Sequence, residues 1–484
     1  MTADDLRRLA EDAMRERGFL PSFSAAALDE AQNCRHAGPQ RHGDVRDLRQ
    51  LTWFSIDNDD TRDLDQLSVV VPLEGGATRL LVAIADVEAF VPASSALDEH
   101  AANNTTSVYT AAGVFPMLPE TLSTDLSSLH EGQERLAVVV DLRVEDDGAV
   151  TGASLYAAVV FNHAKLTYDE VSAWLANESS PLPRLGDVPP LAEQLRLHDT
   201  LAARLARWRH EQGALSMNTV SARPVFADGQ LVDLRADQKN RAKDLIAELM
   251  IAANGATARF LDQHGFPSLR RFLRAPQRWD RIEALAAMHG GHLPDEPDAA
   301  ALDRFLSEQR LTDPDGFADL SLAVVKLLGA GEYSAAAPGR PGEGHFGLAV
   351  QDYAHTTAPN RRYCDLVMQR LVKAVLAGNP PPYTVEALEG IAQHCTEQEG
   401  RANAVERQVL KAAAAFLLDQ RVGQIFDAVV TGVAPKGTFV RLHQPLVEGR
   451  VVRGFQGLDV GDTTRVRLLA VDPRRGHIDF ERVG

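Results

Sequence analysis

The chain has 484 residues, of which 45% are hydrophobic, and a formal net charge of −17. This length predicts two to four domains with a large buried core. The net charge does not favour nucleic-acid binding, so such a function has to rest on local charge. Three scattered cysteines exclude a disulfide framework and a CxxC metal site, as is typical of the cytoplasm. The charged start does not resemble a signal peptide, and no apolar run reaches the ~20 residues that span a bilayer.

The predicted elements change in type along the chain. Residues 1–45 predict two short helices, separated by a Gly18–Ser22 break, and then a polar stretch. Residues 51–161 predict strands, because apolar residues alternate or run together between turn signals. The predicted strands are TWFSI, LSVVV, LLVAIADV, RLAVVVDLRV and SLYAAVVF.

Helices are predicted for most of the second half. Thr167 and Glu170 form a capping box that predicts a helix start. Residues 191–378 are predicted to be mostly helical, with a β-like piece near 215–235, and one or two further helices extend to about 420.

The last 64 residues predict short strands with Gly turns. Residues 421–484 hold ten Lys/Arg and seven Asp/Glu, a net of +3, which leaves −20 for the rest of the chain.

An acidic loop between two predicted strands is the most unusual local feature. The segment WFSIDNDDTRDLDQLSVV (53–70) contains Asp57, Asp59, Asp60, Asp63 and Asp65. Carboxylates this close repel one another unless a cation or strong hydrogen bonds compensate. A calcium hand is excluded, because its Gly and Glu positions hold Arg62 and Ser68 and the flanks are strands. A solvated acidic loop and a catalytic Mg²⁺ site, which uses oxygen ligands and phosphate, both remain open.

Three other segments offer groups that suit phosphate or bases. In TTAPNRRYCDL (356–366), Arg361 and Arg362 precede a predicted helix, where backbone N–H groups and guanidinium groups suit a phosphate; a surface arginine pair is the alternative. In AELMIAAN (247–254), Glu248 lies on an apolar helix face, in a structural or a functional role. In SVYTAAGVFPMLP (107–119), Tyr109 lies in a Gly/Pro loop, where packing is the alternative to base stacking.

These motifs together resemble a known catalytic domain. The acidic loop, VYTAAGVFPMLP, LSTDLSSL, AELMIAAN and HFGLAVQDYAHTTAPNRRYCDL, in this order, resemble the RNB domain of the RNase II and RNase R family of 3′→5′ exoribonucleases, most of all a bacterial RNase II. The resemblance covers residues 50–400. Residues 421–484 resemble the RNA-binding OB fold of the ribosomal S-one type. Its aromatic and histidine side chains suit base stacking: Phe426, Phe439, His443 and Phe455.

The resemblance implies Mg²⁺-dependent hydrolysis of single-stranded RNA from its 3′ end to nucleoside 5′-monophosphates, with Mn²⁺ as the alternative metal. Asp57, Asp63 and Asp65 are then expected to hold the metal and its water, and Arg361 to contact the scissile phosphate. The family's acidic run usually closes with a fourth Asp, whereas this chain has Gln66. An amide oxygen still coordinates Mg²⁺ but adds no negative charge, so a second metal is expected to bind more weakly or to use another ligand.

The resemblance also implies where RNA is held. Tyr109 is expected to stack on a base near the 3′ end, Glu248 to help hold the terminal nucleotide, and Phe439 and His443 to contact RNA on the barrel. The stretch WRHEQGALSM offers Met217 where RNase II has an aromatic partner to the tyrosine, which implies a one-sided base clamp.

The predicted fold is multidomain α+β: a helical segment (1–45), an RNB-like catalytic domain with a mixed sheet and packed helices (46–418), and a five-stranded OB barrel (419–484). The helical segment stands where the family normally has cold-shock domains, which implies a more open active site. The predicted function is a cytoplasmic, monomeric exoribonuclease acting on single-stranded RNA or 3′ overhangs, with no membrane and no obligatory protein partner. A non-catalytic RNA-binding regulator is the alternative, which Gln66 favours; the barrel disfavours a small-molecule phosphodiesterase.

Overall fold

The computed structural model describes residues 3–37, 44–218, 221–227, 230–237, 239–314, 316–340, 344–434 and 437–483. Two helices begin the chain, as predicted: α1 (Ala3–Glu16) and α2 (Ala25–Ala37). Gly18, with a φ of 82°, ends the first of them in the left-handed conformation that glycine adopts at helix C-termini. Across those ranges, no helix is both long and apolar enough to cross a membrane.

The central sheet has six strands: β1 (Val45–Asp47), β2 (Trp53–Asp57), β3 (Gln66–Pro72), β4 (Thr78–Ala85), β7 (Glu134–Val144) and β8 (Val150–Thr167). All five segments predicted as strands in this region are confirmed. Their order is β1-β8-β2-β3-β4-β7, and β7 also pairs with β8, so the sheet closes on itself. The long strand β8 makes this possible, because its first part pairs with β7 and its last residues pair with β2.

Helices that pack against this sheet are α4 (Tyr168–Ala176), α5 (Leu191–Glu211), α6 (Arg241–Gln263) and α10 (Tyr363–Leu376). Residues of α3 (Ala96–Asn104) and of the first part of α11 (Val385–Leu418) join the same core. The predicted capping box is confirmed, since Thr167 and Glu170 make both reciprocal hydrogen bonds at the start of α4. The region after the 380–382 prolines forms one helix, α11, which is 34 residues long. Buried apolar residues of α6 and α10 pack with the sheet in one large core.

Smaller units attach to this body. Two-stranded antiparallel sheets are formed by β5 (Val108–Thr110) with β6 (Gly113–Phe115), β9 (Ser221–Ala227) with β10 (Gln230–Asp237), and β11 (Ser268–Phe272) with β12 (Glu332–Ala336); the first two are hairpins. The second of these confirms the β-like piece near 215–235. Three further helices have a separate apolar core: α7 (Trp279–Met288), α8 (Ala299–Thr312) and α9 (Phe317–Leu328).

The C-terminal region is a closed barrel, as predicted. Its strands are β13 (Ile425–Ala434), β14 (Gly437–Leu442), β15 (Glu448–Arg453), β16 (Thr463–Asp472) and β17 (His477–Val483). They pair in the order β13-β14-β15-β17-β16. The last turn of α11 joins the barrel core through Ala415 and Leu418, both fully buried. The mixed α+β class with a C-terminal five-stranded barrel is therefore confirmed.

Candidate active site

The acidic loop links β2 to β3 at one edge of the central sheet. Asp57 is the last residue of β2, and Asp65 directly precedes β3. Between them the loop is anchored at Leu64, which is 1% exposed and whose backbone N–H donates to the Ser128 hydroxyl (3.0 Å). The Lys165 ammonium of β8 donates to the Thr61 carbonyl (2.5 Å). These anchors hold the loop in one conformation, with its carboxylates near the sheet edge.

Arg361 brings a positive charge to the acidic loop from the segment that precedes α10. Its Nε donates to Asp65 Oδ2 (3.1 Å), and the Asn360 backbone N–H donates to Asp65 Oδ1 (3.2 Å). The Asp65 side chain is 2% exposed, whereas Arg361 is 39% exposed. A ligand can therefore reach the guanidinium without displacing Asp65 from its buried position.

Tyr109 lies on the hairpin β5–β6 and is held at both ends. Its hydroxyl donates to Asp63 Oδ2 (3.3 Å), and its backbone N–H donates to Glu406 Oε1 of α11 (2.9 Å). The residue is 43% exposed. The structure thus brings together Asp57, Asp63, Asp65, Tyr109 and Arg361, residues that the sequence analysis singled out separately.

The electrostatics of the three aspartates differ from those of a solvated loop. Burial raises the pKa of Asp57 to about 6 and the pKa of Asp65 to about 7, and it also raises the pKa of Asp63. Arg361 acts in the opposite direction on all three, while Asp63 raises the pKa of both neighbours. One guanidinium therefore compensates three desolvated carboxylates only in part.

This donor set fits a hard divalent cation. All its ligand atoms are carboxylate oxygens, which Mg²⁺ prefers. The positive charge of such an ion would complete the charge compensation that Arg361 provides only in part. Gln66 is the first residue of β3, next to Asp65, and its backbone pairs with Ile84. Its assignment as a metal ligand stays a prediction.

A different group of side chains brings three possible metal-ligand atoms close together. Within the described part of the chain, the one set of His, Cys, Asp or Glu whose donor atoms all lie within 4.8 Å of each other is His355, Cys364 and Asp365. Arg362 donates two hydrogen bonds to the Asp365 carboxylate, at 2.8 and 2.7 Å. The Tyr333 hydroxyl lies 2.7 Å from His355 Nδ1.

This second group is a structural network rather than a metal site. Burial lowers the pKa of His355 well below its usual value, and the nearby guanidinium groups of Arg362, Arg271 and Arg361 lower it further. A cation placed here would meet the same repulsion. The network instead holds the backbone that carries Arg361, because Asp365 also accepts from the Ala358 N–H (2.7 Å).

Three predicted site residues lie outside the acidic centre. Glu248 of α6 forms a bidentate ion pair with Arg209 of α5, and both side chains are 11% exposed. Phe439 lies on β14, where it pairs with Arg450, and His443 is exposed just after that strand. Their RNA contacts stay predictions.

Two residues near the acidic centre were missed by the sequence analysis. Tyr168 lies at the start of α4, where burial and then the Asp57 charge raise its pKa. Asp57 pairs with Thr167 in parallel register, which places Tyr168 beside it. The capping box signalled this helix start, but only the strand pairing shows its neighbour. Asn360 is fully buried, and its Nδ2 finds no acceptor among the described residues.

A cleft of 820 Å³ leads from Tyr109 to the barrel. The hairpin β5–β6, α11, α9 and the barrel all contribute to its walls. Four cationic side chains line it, against three acidic ones: Lys326, Arg407, Lys411 and Arg441 against Asp60, Glu406 and Glu448. Lys326 pairs with Glu448 (3.8 Å) and Arg441 with Asp319, so the charge of the lining is nearly balanced, in a chain whose net charge is −17.

Comparison with protein families agrees with this architecture. A family model for the RNB domain matches residues 45–378, and a model for the RNase II-type exonuclease C-terminal S1 domain matches residues 424–483. The chain belongs to the RNB domain family, as its motifs predicted.

The individual relatives are Ribonuclease R proteins and structures of the same fold. Ribonuclease R of Escherichia coli (strain K12) is 35% identical over 480 residues, which cover 90% of this chain and 57% of that protein. This chain thus spans little more than half of that relative's length. RNase R of Mycoplasma genitalium, in complex with ribose-methylated single-stranded RNA, matches with a TM-score of 0.87 and 22% identity over 99% of this chain and 78% of that chain.

The fold is also found in a protein described as a pseudonuclease. Yeast Ssd1 matches with a TM-score of 0.71 and 17% identity over 92% of this chain and 55% of that chain. Because an RNase R and a pseudonuclease share the fold, the fold alone does not decide activity.

Proposed function

We propose that this chain is a hydrolytic exoribonuclease that degrades single-stranded RNA, or a single-stranded 3′ overhang, from the 3′ end to nucleoside 5′-monophosphates in cytoplasmic RNA decay. The observation that carries the proposal is the meeting of Asp57, Asp63, Asp65, Arg361 and Tyr109 at one end of the cleft that leads to the barrel. The relatives named Ribonuclease R, one of them solved with single-stranded RNA, support RNA as the substrate.

We assign Mg²⁺, with Mn²⁺ as the alternative, to Asp57, Asp63 and Asp65, with Gln66 as a further oxygen ligand. The all-oxygen donor set and the raised carboxylate pKa values support this assignment. When bound, such an ion lowers the pKa of a coordinated water and offsets negative charge on the phosphodiester. Gln66 contributes no charge, so a second ion would bind more weakly or would use another ligand.

The chain's own residues bind and orient the substrate. Arg361 is partly exposed and oriented by Asp65, so it can donate to a phosphate oxygen and stabilise the charge that develops there. The exposed ring of Tyr109 stacks on a base, and its hydroxyl bond to Asp63 couples that position to the acidic centre. On this proposal Glu248, which forms an ion pair with Arg209, helps to hold the terminal nucleotide.

The barrel binds RNA upstream of the reacting end. Phe439 and His443 lie on and just beyond β14, and Arg441 of the same strand lines the cleft. Aromatic stacking combined with cationic side chains is the usual way in which OB folds hold single strands without sequence preference.

A non-catalytic RNA-binding regulator is the second candidate function. Gln66, which removes one negative charge from the acidic run, favours it, and the same fold occurs in a protein described as a pseudonuclease. The complete set of three aspartates with Arg361 favours the nuclease.

The two candidates are separated with end-labelled RNA, incubated with Mg²⁺ or with EDTA. A 3′ label should be released at once as a mononucleotide, a 5′ label should give a ladder of shortening products, and EDTA should stop both. A circular RNA of the same sequence should resist, because it has no 3′ end. Intact linear RNA that is nevertheless shifted on a native gel would replace the nuclease with the regulator.

A further inference from the structure

The N-terminal helix packs against the hairpin that carries Tyr109. Five apolar residues of α1 and the turn after it are at most 2% exposed. They share one cluster with the hairpin residues Val108, Ala111 and Phe115 and with α11. The N-terminal members are Leu6, Ala10, Ala13, Met14 and Phe19.

One contact joins α1 to the hairpin directly. The Arg7 guanidinium lies 5.0 Å from the centroid of the Phe115 ring, a cation–π distance. Phe115 is 2% exposed and pairs with Val108 across the hairpin, immediately before Tyr109. The helix therefore contacts the strand opposite the proposed base-stacking residue.

A second connection runs from the turn after α1 to the backbone of Arg361. Asn104 accepts a hydrogen bond from the Leu20 N–H (2.9 Å) and donates one to the Leu20 carbonyl (2.9 Å). Asn104 is 1% exposed and ends α3. Three residues later the Ser107 N–H donates to the Arg361 carbonyl (3.0 Å). The segment 104–109 thus joins the N-terminal turn to both Arg361 and Tyr109.

The helix α2 fixes the other end of α3. Both carboxylate oxygens of Glu30 accept hydrogen bonds from the first turn of α3, from the Ala96 N–H (3.0 Å) and the Leu97 N–H (2.9 Å). A carboxylate at a helix N-terminus is stabilising, because the free N–H groups and the helix dipole both favour negative charge.

A hairpin of this size needs such support. Each strand of β5–β6 has three residues, and an isolated two-stranded hairpin is marginally stable at best in water. The Tyr109 ring is 43% exposed, so its position depends on the hairpin backbone and on the hydroxyl bond to Asp63.

We propose that the N-terminal segment, residues 3–37, is a positioning element for the RNA 3′ end: it holds the hairpin β5–β6 so that Tyr109 is already in place for stacking when RNA arrives. The inference rests on the proposed function. A stacking residue that is already in place lowers the entropy cost of binding. When this preorganisation is lost, the KM for short RNAs rises, because short RNAs make few other contacts. The kcat for long RNA should stay at the wild-type value, because the N-terminal segment is connected to the backbone of Arg361, whereas the Arg361 guanidinium is held by Asp65.

Two neighbouring arginines of α1 provide a matched test. Arg7→Ala removes the contact with Phe115, whereas Arg8→Ala removes a side chain that is 73% exposed and paired with Asp5. Arg7→Ala is expected to raise the KM for a short oligoribonucleotide about 2- to 5-fold, the scale of one cation–π contact. Its kcat on long RNA should stay at the wild-type value, and Arg8→Ala should change neither. Equal KM values for both variants would overturn the proposal.

A core pair tests the same idea with larger changes. Met14→Ala and Leu306→Ala each truncate a fully buried side chain, the first in the α1 cluster and the second in the core of α7–α9. Both should lower the Tm, but only Met14→Ala should raise the KM for short RNA and lengthen the final product. A KM that rises equally in both variants would mean a general loss of stability and would overturn the inference.

The binding readout separates this inference from the proposed function. The Kd for the same short RNA is measured by fluorescence anisotropy in EDTA, where no hydrolysis occurs. A wild-type chain that binds this RNA in EDTA but does not cleave it when Mg²⁺ is supplied would contradict the nuclease alone. A weaker Kd in Met14→Ala than in Leu306→Ala would still support the positioning role, and equal Kd values would overturn it.

Discussion

Asp65 and Asp365 are both buried carboxylates beside arginines of one segment, yet their surroundings differ. Asp365 is fully buried and accepts two hydrogen bonds from Arg362 and one from the Ala358 N–H. Asp65 is 2% exposed and accepts one hydrogen bond from Arg361 and one from the Asn360 N–H. It also has other carboxylates as neighbours, and burial raises its pKa to about 7.

The difference separates a structural carboxylate from one that suits a ligand. The Asp365–Arg362 pair satisfies both partners, so its contribution is to hold the backbone before α10. Among the described residues, the cation that lowers the pKa of Asp57, Asp63 and Asp65 is Arg361, and a bound cation would add to its compensation. Adjacent arginines, Arg361 and Arg362, therefore have different roles that residue type alone does not reveal.

Asp365→Asn should have the largest effect, and on stability. Removing one partner of a buried ion pair leaves Arg362 without its counter-charge, which costs about 3–5 kcal/mol of unfolding free energy. Urea unfolding followed by circular dichroism measures this loss. A variant as stable as the wild type would break the comparison, because Asp365 would then not be structural.

Asp65→Asn should affect the chemistry instead. Loss of one preorganised charged group at the reacting centre should slow single-turnover cleavage by about 10²-fold or more. RNA affinity by filter binding should hold, and the Tm should be unchanged or higher, because the variant removes a carboxylate whose burial raises its pKa.

Asp59→Asn is the matched control for this variant. Asp59 lies in the same loop but is exposed, and it is outside the proposed ligand set. Its cleavage rate should stay close to that of the wild type. Equal, mild losses in both variants would mean that the aspartates form a solvated acidic surface.

Tyr109→Ala should change where degradation stops. Base stacking contributes about 1–3 kcal/mol per base, which matters most when few nucleotides remain bound. The final product on a sequencing gel should become longer, while long RNA is still degraded. Tyr109→Phe keeps the ring and removes only the bond to Asp63, so its final product should match that of the wild type.

His210→Gln should have the smallest effect, through a partly exposed pair. The hydrogen bond to Asp303 raises the pKa of His210. A histidine whose folded pKa is raised stabilises the protein fully below its unfolded pKa, about 6.5, and this contribution is lost as the pH rises through the folded pKa. The variant should therefore be less stable than the wild type at pH 5.5, by about 1 kcal/mol or less. At pH 8.5 the two Tm values should agree; a difference confined to high pH would contradict the assignment.

Much of the secondary structure could be predicted because it depends on neighbours in the sequence. Apolar alternation predicted the strands that became β2, β3, β4, β7 and β8, and the Thr167–Glu170 spacing predicted the start of α4. The candidate catalytic residues came from family resemblance, since nothing in local spacing brings Arg361 to a loop almost 300 positions earlier.

The sequence by itself determined β2, β3, β4, β7 and β8, the N-terminal helices, the strand-rich C-terminal region and the residue types available for chemistry, whereas β1, β5, β6, β11 and β12 were not predicted. Only the tertiary structure decided their partners: Glu248 with Arg209, Arg362 with Asp365, Tyr109 with Asp63 and Glu406, and Tyr168 beside Asp57. The physical reason is that hydrogen bonding and burial depend on which elements pack together, and in a desolvated site those two factors set the charge of each carboxylate.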